Sequence, residues 1–151
     1  MAAVAWLPDA QNEVFAEDEV KISALAQIFR QAFYNVLHQE DGYFIVSTDG
    51  PTVMIFLDHD AKLIRFASLY PIKESAPLEL KHAYINKMNH RFILGCFSIP
   101  ESEPDLVIAD YSLMYEKGVK PFHLVSMFRL FLRIVGSAIT ALEEGDLLEI
   151  E

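Results

Sequence analysis

Apolar residues recur every three or four positions in two long segments, one near each end of the chain. In the first segment, from about Glu19 to His38, this spacing is shown by Ile22, Leu25, Ala26, Phe29, Ala32, Phe33, Val36 and Leu37. Such spacing places the apolar side chains on one face of an α-helix. We therefore predict a first helix over residues 19–38, ended by Asp41-Gly42.

Three strand-like segments follow this helix. Tyr43–Thr48 and Thr52–Leu57 flank Asp49-Gly50, a dipeptide typical of tight hairpin turns, and Lys62–Leu69 follows a second turn at Asp58–Ala61. Connections this short can join only antiparallel strands, so a three-stranded meander is predicted. Its middle strand is apolar on both faces, which predicts that both faces are covered, by helices and the N-terminal arm or by another chain.

The second half of the chain predicts a helix, a hairpin and a long helix. The stretch Leu78–Ile99 indicates a helix that ends at Asn89 or His90 and leads into a strand over Phe92–Ile99. A second strand is predicted over Leu106–Tyr115. The order α-β-β-β-α-β-β-α predicts an α+β fold with helices packed on an antiparallel sheet. We expect one domain, with an N-terminal arm at 1–18, a body at 19–143 and an acidic tail at 144–151.

The last predicted helix, from about Pro121 to Glu143, has more apolar surface than one sheet can cover. Its polar side is a narrow stripe of Ser126, Arg129, Arg133, Ser137 and Thr140. The remaining apolar arc spans roughly 200°, where a helix resting on a sheet needs about 100°. Mid-helix Gly136 suggests that something approaches the backbone closely.

Two explanations for this apolar arc remain open. Either the helix is buried on two sides, by the sheet and by a partner, or the arm or first helix covers the excess. Under the first explanation, the residues predicted to contact a partner are Met127, Leu130, Phe131 and Ile134, with Arg129 and Arg133 beside them.

Charge narrows the classes of partner. The net charge is −10, and the lysines and arginines are scattered singly. Nucleic acids and anionic membranes are therefore not expected as partners. The acidity favours solubility or the binding of basic segments.

The predicted location is the cytoplasm. The single cysteine, Cys96, lies in an apolar strand, where we expect it to be buried and unreactive, and this fits a reducing compartment. The N-terminus lacks the basic region of a signal peptide. Arg129 and Arg133 in the middle of the longest apolar run argue against a membrane span.

No catalytic constellation is recognisable in the chain. It contains no glycine-rich phosphate loop, no paired-cysteine metal motif, no H-E-x-x-H and no G-x-S-x-G. Asp58-His59-Asp60 is the best metal candidate, but neighbouring side chains in a turn diverge, and these residues are common in turns. We therefore predict a protein that is not an enzyme, with no catalytic residue, cofactor or metal site.

Three stretches resemble the YbjN family of bacterial sensory transduction regulators, which has the fold of type III secretion chaperones. They are YFIVSTDGPTVMIFL, YINKMNHRFILGCFSI and LVIADYSLMYEKGVKPFHLVSMFRLFLRIVGSAI, and together they cover about residues 19–143. The family usually has an aromatic residue between two asparagines, whereas this chain has Lys87-Met88 between Asn86 and Asn89. The resemblance implies a small acidic protein, often dimeric, that engages other proteins through apolar surfaces. It implies no catalytic residues.

Two functional hypotheses follow. The first is a protein-interaction module, a chaperone-like or regulatory adaptor that forms a homodimer and can bind a client or regulatory protein. The second is a small-ligand sensor with an apolar pocket between the sheet and the last helix, in which Arg129 or Arg133 holds an anionic group.

Overall fold

The computed structural model describes residues 13–149. Within them, a short 3-10 turn at Glu17–Glu19 precedes three helices and six strands. The helices are α1 (Ile22–Gln31), α2 (Leu78–Arg91) and α3 (Pro121–Glu144). The strands are β1 (Asn35–Gln39), β2 (Tyr43–Ser47), β3 (Val53–Asp58), β4 (Leu63–Pro71), β5 (Cys96–Ser98) and β6 (Leu106–Met114).

The strands form one antiparallel sheet in the order β1-β2-β3-β4-β6-β5. The predicted α+β class, with helices on an antiparallel sheet, is confirmed. β4 and β6 pair along their whole length, from Leu63 opposite Met114 to Pro71 opposite Leu106. This long pairing returns the chain to the meander, so that α2 and β5 lie at one edge of the sheet.

The predicted first helix is wrong in its second half. α1 ends at Gln31, and residues 35–39 form the edge strand β1. At the end of α1, Phe33 has a left-handed backbone with φ 67°, and the Tyr34 N–H donates to the carbonyl oxygen of Phe29 at 3.0 Å. This bond satisfies one of the last helical carbonyls, and the left-handed residue turns the chain toward the sheet. Val36 and Leu37 fall at helical spacing by coincidence, because Val36 instead pairs with Val46 in β2.

Replacing Phe33 with glycine is expected to stabilise the protein by about 1 kcal/mol, since a left-handed backbone costs a residue with a Cβ roughly 1–2 kcal/mol. The Phe33 side chain is 79% exposed, so its removal loses little burial. Equilibrium denaturation would measure the change. Phe33→Ala is the matched control: it retains the Cβ and should show no comparable gain, and an equal gain in both variants would contradict the explanation.

All three helices pack on the same face of the sheet. Phe44 in β2 contacts Phe29 of α1, and Phe66 in β4 contacts Phe128 of α3. Phe97 of β5, which is on this same face, contacts Phe92 just after α2. The helices therefore form a single layer over the sheet.

Phe128 lies at the centre of the core and is fully buried. Its ring centroid is 4.8 Å from that of Phe29, 5.0 Å from that of Tyr34 and 5.4 Å from that of Phe66, each nearly edge-to-face. Such aromatic pairs are favourable beyond their burial because ring edges and faces carry opposite partial charge. Phe128 thus joins α1, the turn before β1, α3 and the central strand.

Phe128→Ala is expected to reduce the free energy of unfolding by about 3–5 kcal/mol, because it removes a buried ring and leaves a cavity. Thermal or denaturant unfolding would measure the loss. Phe122→Ala on the same helix, where the side chain is 56% exposed, is the control and should change stability by no more than about 0.5 kcal/mol. Similar losses in both variants would contradict the central position assigned to Phe128.

The chain on either side of this body is fixed by backbone pairing. Phe15 and Val119 exchange two N–H···O bonds of 2.9 Å each. Gly118 allows this contact, since a Cβ at this residue would lie 2.2 Å from the carbonyl oxygen of Phe15. Trp6 and Leu7, which belong to the predicted arm, lie outside the described residues.

The segment after α3 packs against the body of the protein up to residue 149 and is not a free acidic tail there. Leu147 is buried, and its carbonyl oxygen accepts a hydrogen bond from the Lys73 N–H at 2.9 Å. Leu148 forms a bridge with Ile72 just after β4. The body therefore extends beyond residue 143.

The second face of the sheet carries none of the three described helices. Strand alternation turns Val53 and Ile55 toward the helices and Met54 and Phe56 away from them, and the latter two stay half-buried. We call this second surface the open face. Within residues 13–149 helices cover one face only, and coverage of the second face by the rest of the N-terminal arm or by another chain stays a prediction. The open face includes Tyr43, Ile45, Met54, Phe56, Leu63, Arg65, Ala67, Leu69, Ile108 and Asp110.

Candidate functional site

The exposed side of α3 contains five of the six residues predicted to contact a partner. The sixth, Phe131, is 2% exposed, and its ring lies 5.8 Å from that of Phe66. Phe131 therefore belongs to the core and is excluded from any surface site. The sequence could not separate it from its apolar neighbours, because the apolar arc of α3 has no polar residue to mark where the core ends.

Met127, Leu130 and Ile134 form a half-buried apolar row along α3, because positions three and four apart are neighbours on a helix. The turn between α2 and β5 lies beside one end of this row. A Cβ on Gly95 would lie 3.2 Å from Ile134 Cγ2, so the turn rests against the helix. Beside it, Ile93 is 94% exposed and Leu94 is 42% exposed. We call these residues the apolar ridge: Met127, Leu130, Ile134, Ile93 and Leu94.

Arg129 and Arg133 are exposed on the polar stripe next to the ridge. Neither takes part in any of the ion pairs formed within residues 13–149. Gly136, which follows Arg133 by three positions on α3, has no described atom within 4 Å of the position of a Cβ, so the close approach predicted there does not come from this part of the chain. The stripe can therefore receive carboxylate groups from outside.

Asn89 holds the turn of the ridge in place. Its side-chain Nδ2 donates to the carbonyl oxygen of Phe97 at 2.9 Å, and its Oδ1 accepts from the Phe97 N–H at 2.7 Å. The amide thus binds β5 as a neighbouring strand would. The predicted helix end at Asn89 or His90 is wrong, because α2 continues to Arg91 and Phe92 follows in an extended conformation.

The predicted strand over Phe92–Ile99 is much shorter in the structure, with only Cys96–Ser98 in the sheet. Residues 93 and 94 form the turn instead. Cys96 is exposed, which corrects the expectation of a buried thiol. Strand alternation explains this exposure. Neighbouring side chains of a strand point to opposite faces of the sheet, so the Cys96 thiol points away from the core because Phe97 points into it.

The buried residues of α2 do not follow its apolar pattern. Met88 is buried, but Leu78 and Leu80 are exposed and Lys81 is buried in their place. Lys81 Nζ donates to Asp105 Oδ1 at 2.6 Å, which compensates for burying the charge. The apolar pattern gave no signal for this ion pair, because Lys81 and Asp105 are far apart in the sequence.

The interior between the sheet and α3 is filled by the rings of Phe66, Phe128 and Phe131. A groove of about 600 Å³ instead lies at one end of the sheet, where Phe33, Tyr34 and Leu132 face the β2–β3 turn. Asp49 is its only charged lining residue, and neither Arg129 nor Arg133 lines it. This arrangement does not match a pocket in which those arginines hold an anion.

In Asp58-His59-Asp60, the segment considered above as a metal site, the Asp58 carboxylate forms hydrogen bonds that stabilise a turn. Asp58 Oδ1 accepts hydrogen bonds from the Asp60 N–H at 3.0 Å and the Ala61 N–H at 2.8 Å. His59 Nδ1 is 3.4 Å from the hydroxyl of Tyr115. Among residues 13–149, no three or more histidine, cysteine or acidic side chains are grouped to hold a metal ion.

The shifted pKa values have structural causes and lie away from the ridge. Burial raises the pKa of Tyr70 to about 12, although its hydrogen bond to Ser68 opposes the shift. The hydrogen bond from Lys62 lowers the pKa of Glu17, and the same contact raises the pKa of Lys62. These groups form a buried polar contact and a surface ion pair, and none faces the ridge.

α3 is the one helix of the described part that is long and apolar enough to cross a membrane, by length and composition alone. Core helices of soluble proteins meet the same criteria. Here one side of α3, including Leu124, Phe128 and Val135, is buried in the chain's own core.

Comparisons with known proteins agree with this fold. A model of the YbjN family, described as "Putative bacterial sensory transduction regulator", matches residues 21–144. No curated protein matches the chain. The crystal structure of YbjN from E. coli is similar, with a TM-score of 0.72, 16% identity, and coverage of 87% of this chain and 97% of that one.

Two further solved structures share the fold. The HopA1–SchA chaperone–effector complex matches with a TM-score of 0.54 and 15% identity over 76% of this chain and 89% of that one. An uncharacterized protein from Methanothermobacter thermautotrophicus matches with a TM-score of 0.61 and 11% identity over 83% of this chain and 98% of that one. At these identities the similarity shows the fold alone.

Asn89→Ala is expected to destabilise the protein by about 1–3 kcal/mol, because it leaves two backbone groups of β5 without their partner. Hydrogen exchange of the Phe97 backbone amide should become faster, and by a larger factor than the measured loss of global stability would produce. Asn86→Ala is the matched control, since Asn86 is exposed on the same helix and its side chain makes no hydrogen bond within residues 13–149. Equal exchange rates at Phe97 in both variants would contradict the assignment of Asn89.

Proposed function

Because the chain belongs to the YbjN family, we propose that it is a non-enzymatic protein-interaction module, a chaperone-like or regulatory adaptor that works as a homodimer in the cytoplasm. Its partner is a client or regulatory protein that contacts the apolar ridge. Family membership supports a regulatory role, and the fold shared with a chaperone–effector complex supports a protein partner.

The observation that carries this proposal is the exposure of Ile93 at 94% on a turn that is held in position from both sides. Asn89 fixes the strand after the turn, and Gly95 rests against Ile134. A large apolar side chain kept in water by a well-fixed turn is typical of an interaction surface when other apolar residues adjoin it. Leu94 and the α3 row supply those neighbours.

The charges beside the ridge suggest what the partner brings. Arg129 and Arg133 are one helical turn apart and lack an ion-pair partner within the described residues. Arginine binds carboxylates in a planar, two-bond geometry. A partner segment with apolar side chains for the ridge and carboxylates for these arginines would satisfy both features.

Leu130→Glu should reduce the amount of a specific partner recovered by affinity capture from the native host by at least tenfold, as expected when a central interface residue costs about 2 kcal/mol or more. Quantitative mass spectrometry of the captured proteins would measure this loss. Thr140→Glu adds the same side chain to the exposed polar stripe of α3 and is the matched control. Both variants must first unfold at the same temperature as the unmodified protein.

A partner that is retained equally by the Leu130→Glu and Thr140→Glu proteins would place the interaction elsewhere and contradict the ridge. Recovery of the bait alone, together with a co-purified small molecule, would favour the ligand-sensor alternative. The observation in favour of that alternative is the groove beside Phe33, whose volume of about 600 Å³ would suit a small molecule. Its one acidic lining residue, Asp49, fits a neutral or cationic ligand better than an anionic one.

A further inference from the structure

The open face has an apolar cluster on β2 and β3 and a second apolar pair at one end of β4 and β6. Tyr43 lies opposite Phe56, with ring centroids 5.6 Å apart, and Ile45 lies opposite Met54. Met54 in turn lies opposite Ala67, whose partner on β6 is Asp110, and Leu69 lies opposite Ile108 in a separate row. The apolar residues on this face therefore occupy neighbouring positions and are not isolated surface side chains.

The centre of this face is electrically neutral in a chain that carries a net charge of −10. Arg65 of β4 and Asp110 of β6 form an ion pair with each other there. Asp58 is at the rim, where its carboxylate accepts the backbone hydrogen bonds of the adjoining turn. The excess negative charge consequently lies on other parts of the molecule.

The dimensions of the face suit an interface of ordinary size. At about 4.8 Å per strand spacing and about 3.3 Å per residue, a sheet of this width with nine-residue central strands offers roughly 600–700 Å². Stable interfaces bury about 800 Å² on each partner. Side chains that project from the sheet add to this flat area. A stable interface would therefore use the whole open face and little surface beyond it.

We infer that the open face is the contact between two copies of this chain, whose sheets pack face to face. This inference rests on the proposed function, which includes a homodimer, and it specifies the surface that forms the dimer. Two sheets packed in this way lie about 10 Å apart, with side chains of both inner faces between them. The ridge on α3, beyond the helical layer, remains free for another protein.

Charge favours a second copy over a basic partner at this face. Two molecules that each carry −10 repel one another, so they can associate closely only through surfaces without excess carboxylates. A basic partner would be drawn instead to the acidic surface outside this face. A second copy also brings its own Arg65 and Asp110, so that each copy presents one positive and one negative group to the other.

The test is sedimentation or light scattering of the full chain over about 1–100 µM protein, a range that resolves micromolar dissociation constants. Arg65→Glu places like charges beside Asp110 in both copies and should raise the dimer dissociation constant at least tenfold. Lys87→Glu changes the net charge equally on the exposed side of α2 and should leave that constant unchanged. The double variant Arg65→Glu with Asp110→Arg restores a neutral pair and should recover the dimer.

Salt provides an independent readout. Because the two copies repel through their net charge, the dimer should become tighter as the ionic strength rises from about 0.05 M to about 0.5 M. A contact held together mainly by ion pairs between the copies would instead weaken. Circular dichroism and the unfolding midpoint would establish that each variant is folded.

Several outcomes would overturn the inference. A dimer broken by Leu130→Glu and unaffected by Arg65→Glu would place the contact on α3. A monomer at every protein and salt concentration would exclude a second copy, whether partner capture through the ridge succeeds or not. In that case, thiol labelling of the Met54→Cys variant in a Cys96→Ser background would show what covers the open face. Protection of the new thiol from labelling in the isolated chain would indicate residues 1–12 of the same chain. Protection only in the presence of a captured protein would indicate that protein.

Discussion

The packing of Phe128 against three other rings is the interaction on which the arrangement of the molecule depends. Phe29, Tyr34 and Phe66 come from α1, the turn before β1 and the central strand β4, and each meets Phe128 nearly edge-on. Because edge-to-face geometry restricts both distance and angle, one side chain of α3 fixes how three parts of the chain meet. Its ring also occupies the space between the sheet and α3 in which the sequence predicts a ligand pocket.

A single helical layer has a direct consequence for the other side of the sheet. β3 is apolar at every position from Val53 to Leu57, but only alternate side chains can face the helices. Met54 and Phe56 are therefore turned toward the second face, where neighbouring strands shield them only in part. An antiparallel sheet that meets water on one face normally alternates apolar and polar residues. The departure from that alternation is the physical reason to expect a covering surface there.

The sequence predicted the class of fold, the meander, the position of α2 and nearly the whole of α3, because these elements depend on local periodicity and turn residues. It failed where distant contacts decide. Val36 fits a helical period, yet pairing with β2 makes it part of a strand. Asn89 was interpreted as a helix end, although its role depends on Phe97, eight residues away. Likewise, the apolar pattern pointed to the ridge residues Met127, Leu130 and Ile134 but could not exclude Phe131. The burial of Phe131 depends on its contact with Phe66, which is distant in the sequence.

The short strand β5 connects the two surfaces proposed here for different partners. Its central residue, Phe97, faces the core and is held by Asn89, and the turn before it presents Ile93 and Leu94 to the ridge. Cys96, one position earlier, lies opposite Asp110, whose carboxylate pairs with Arg65 in the centre of the open face. Because side chains alternate along a strand, one three-residue segment contributes to both sides of the sheet. The hydrogen bonds of Asn89 therefore set the position of the ridge relative to the open face, so the geometry of both surfaces depends on the same pair of bonds.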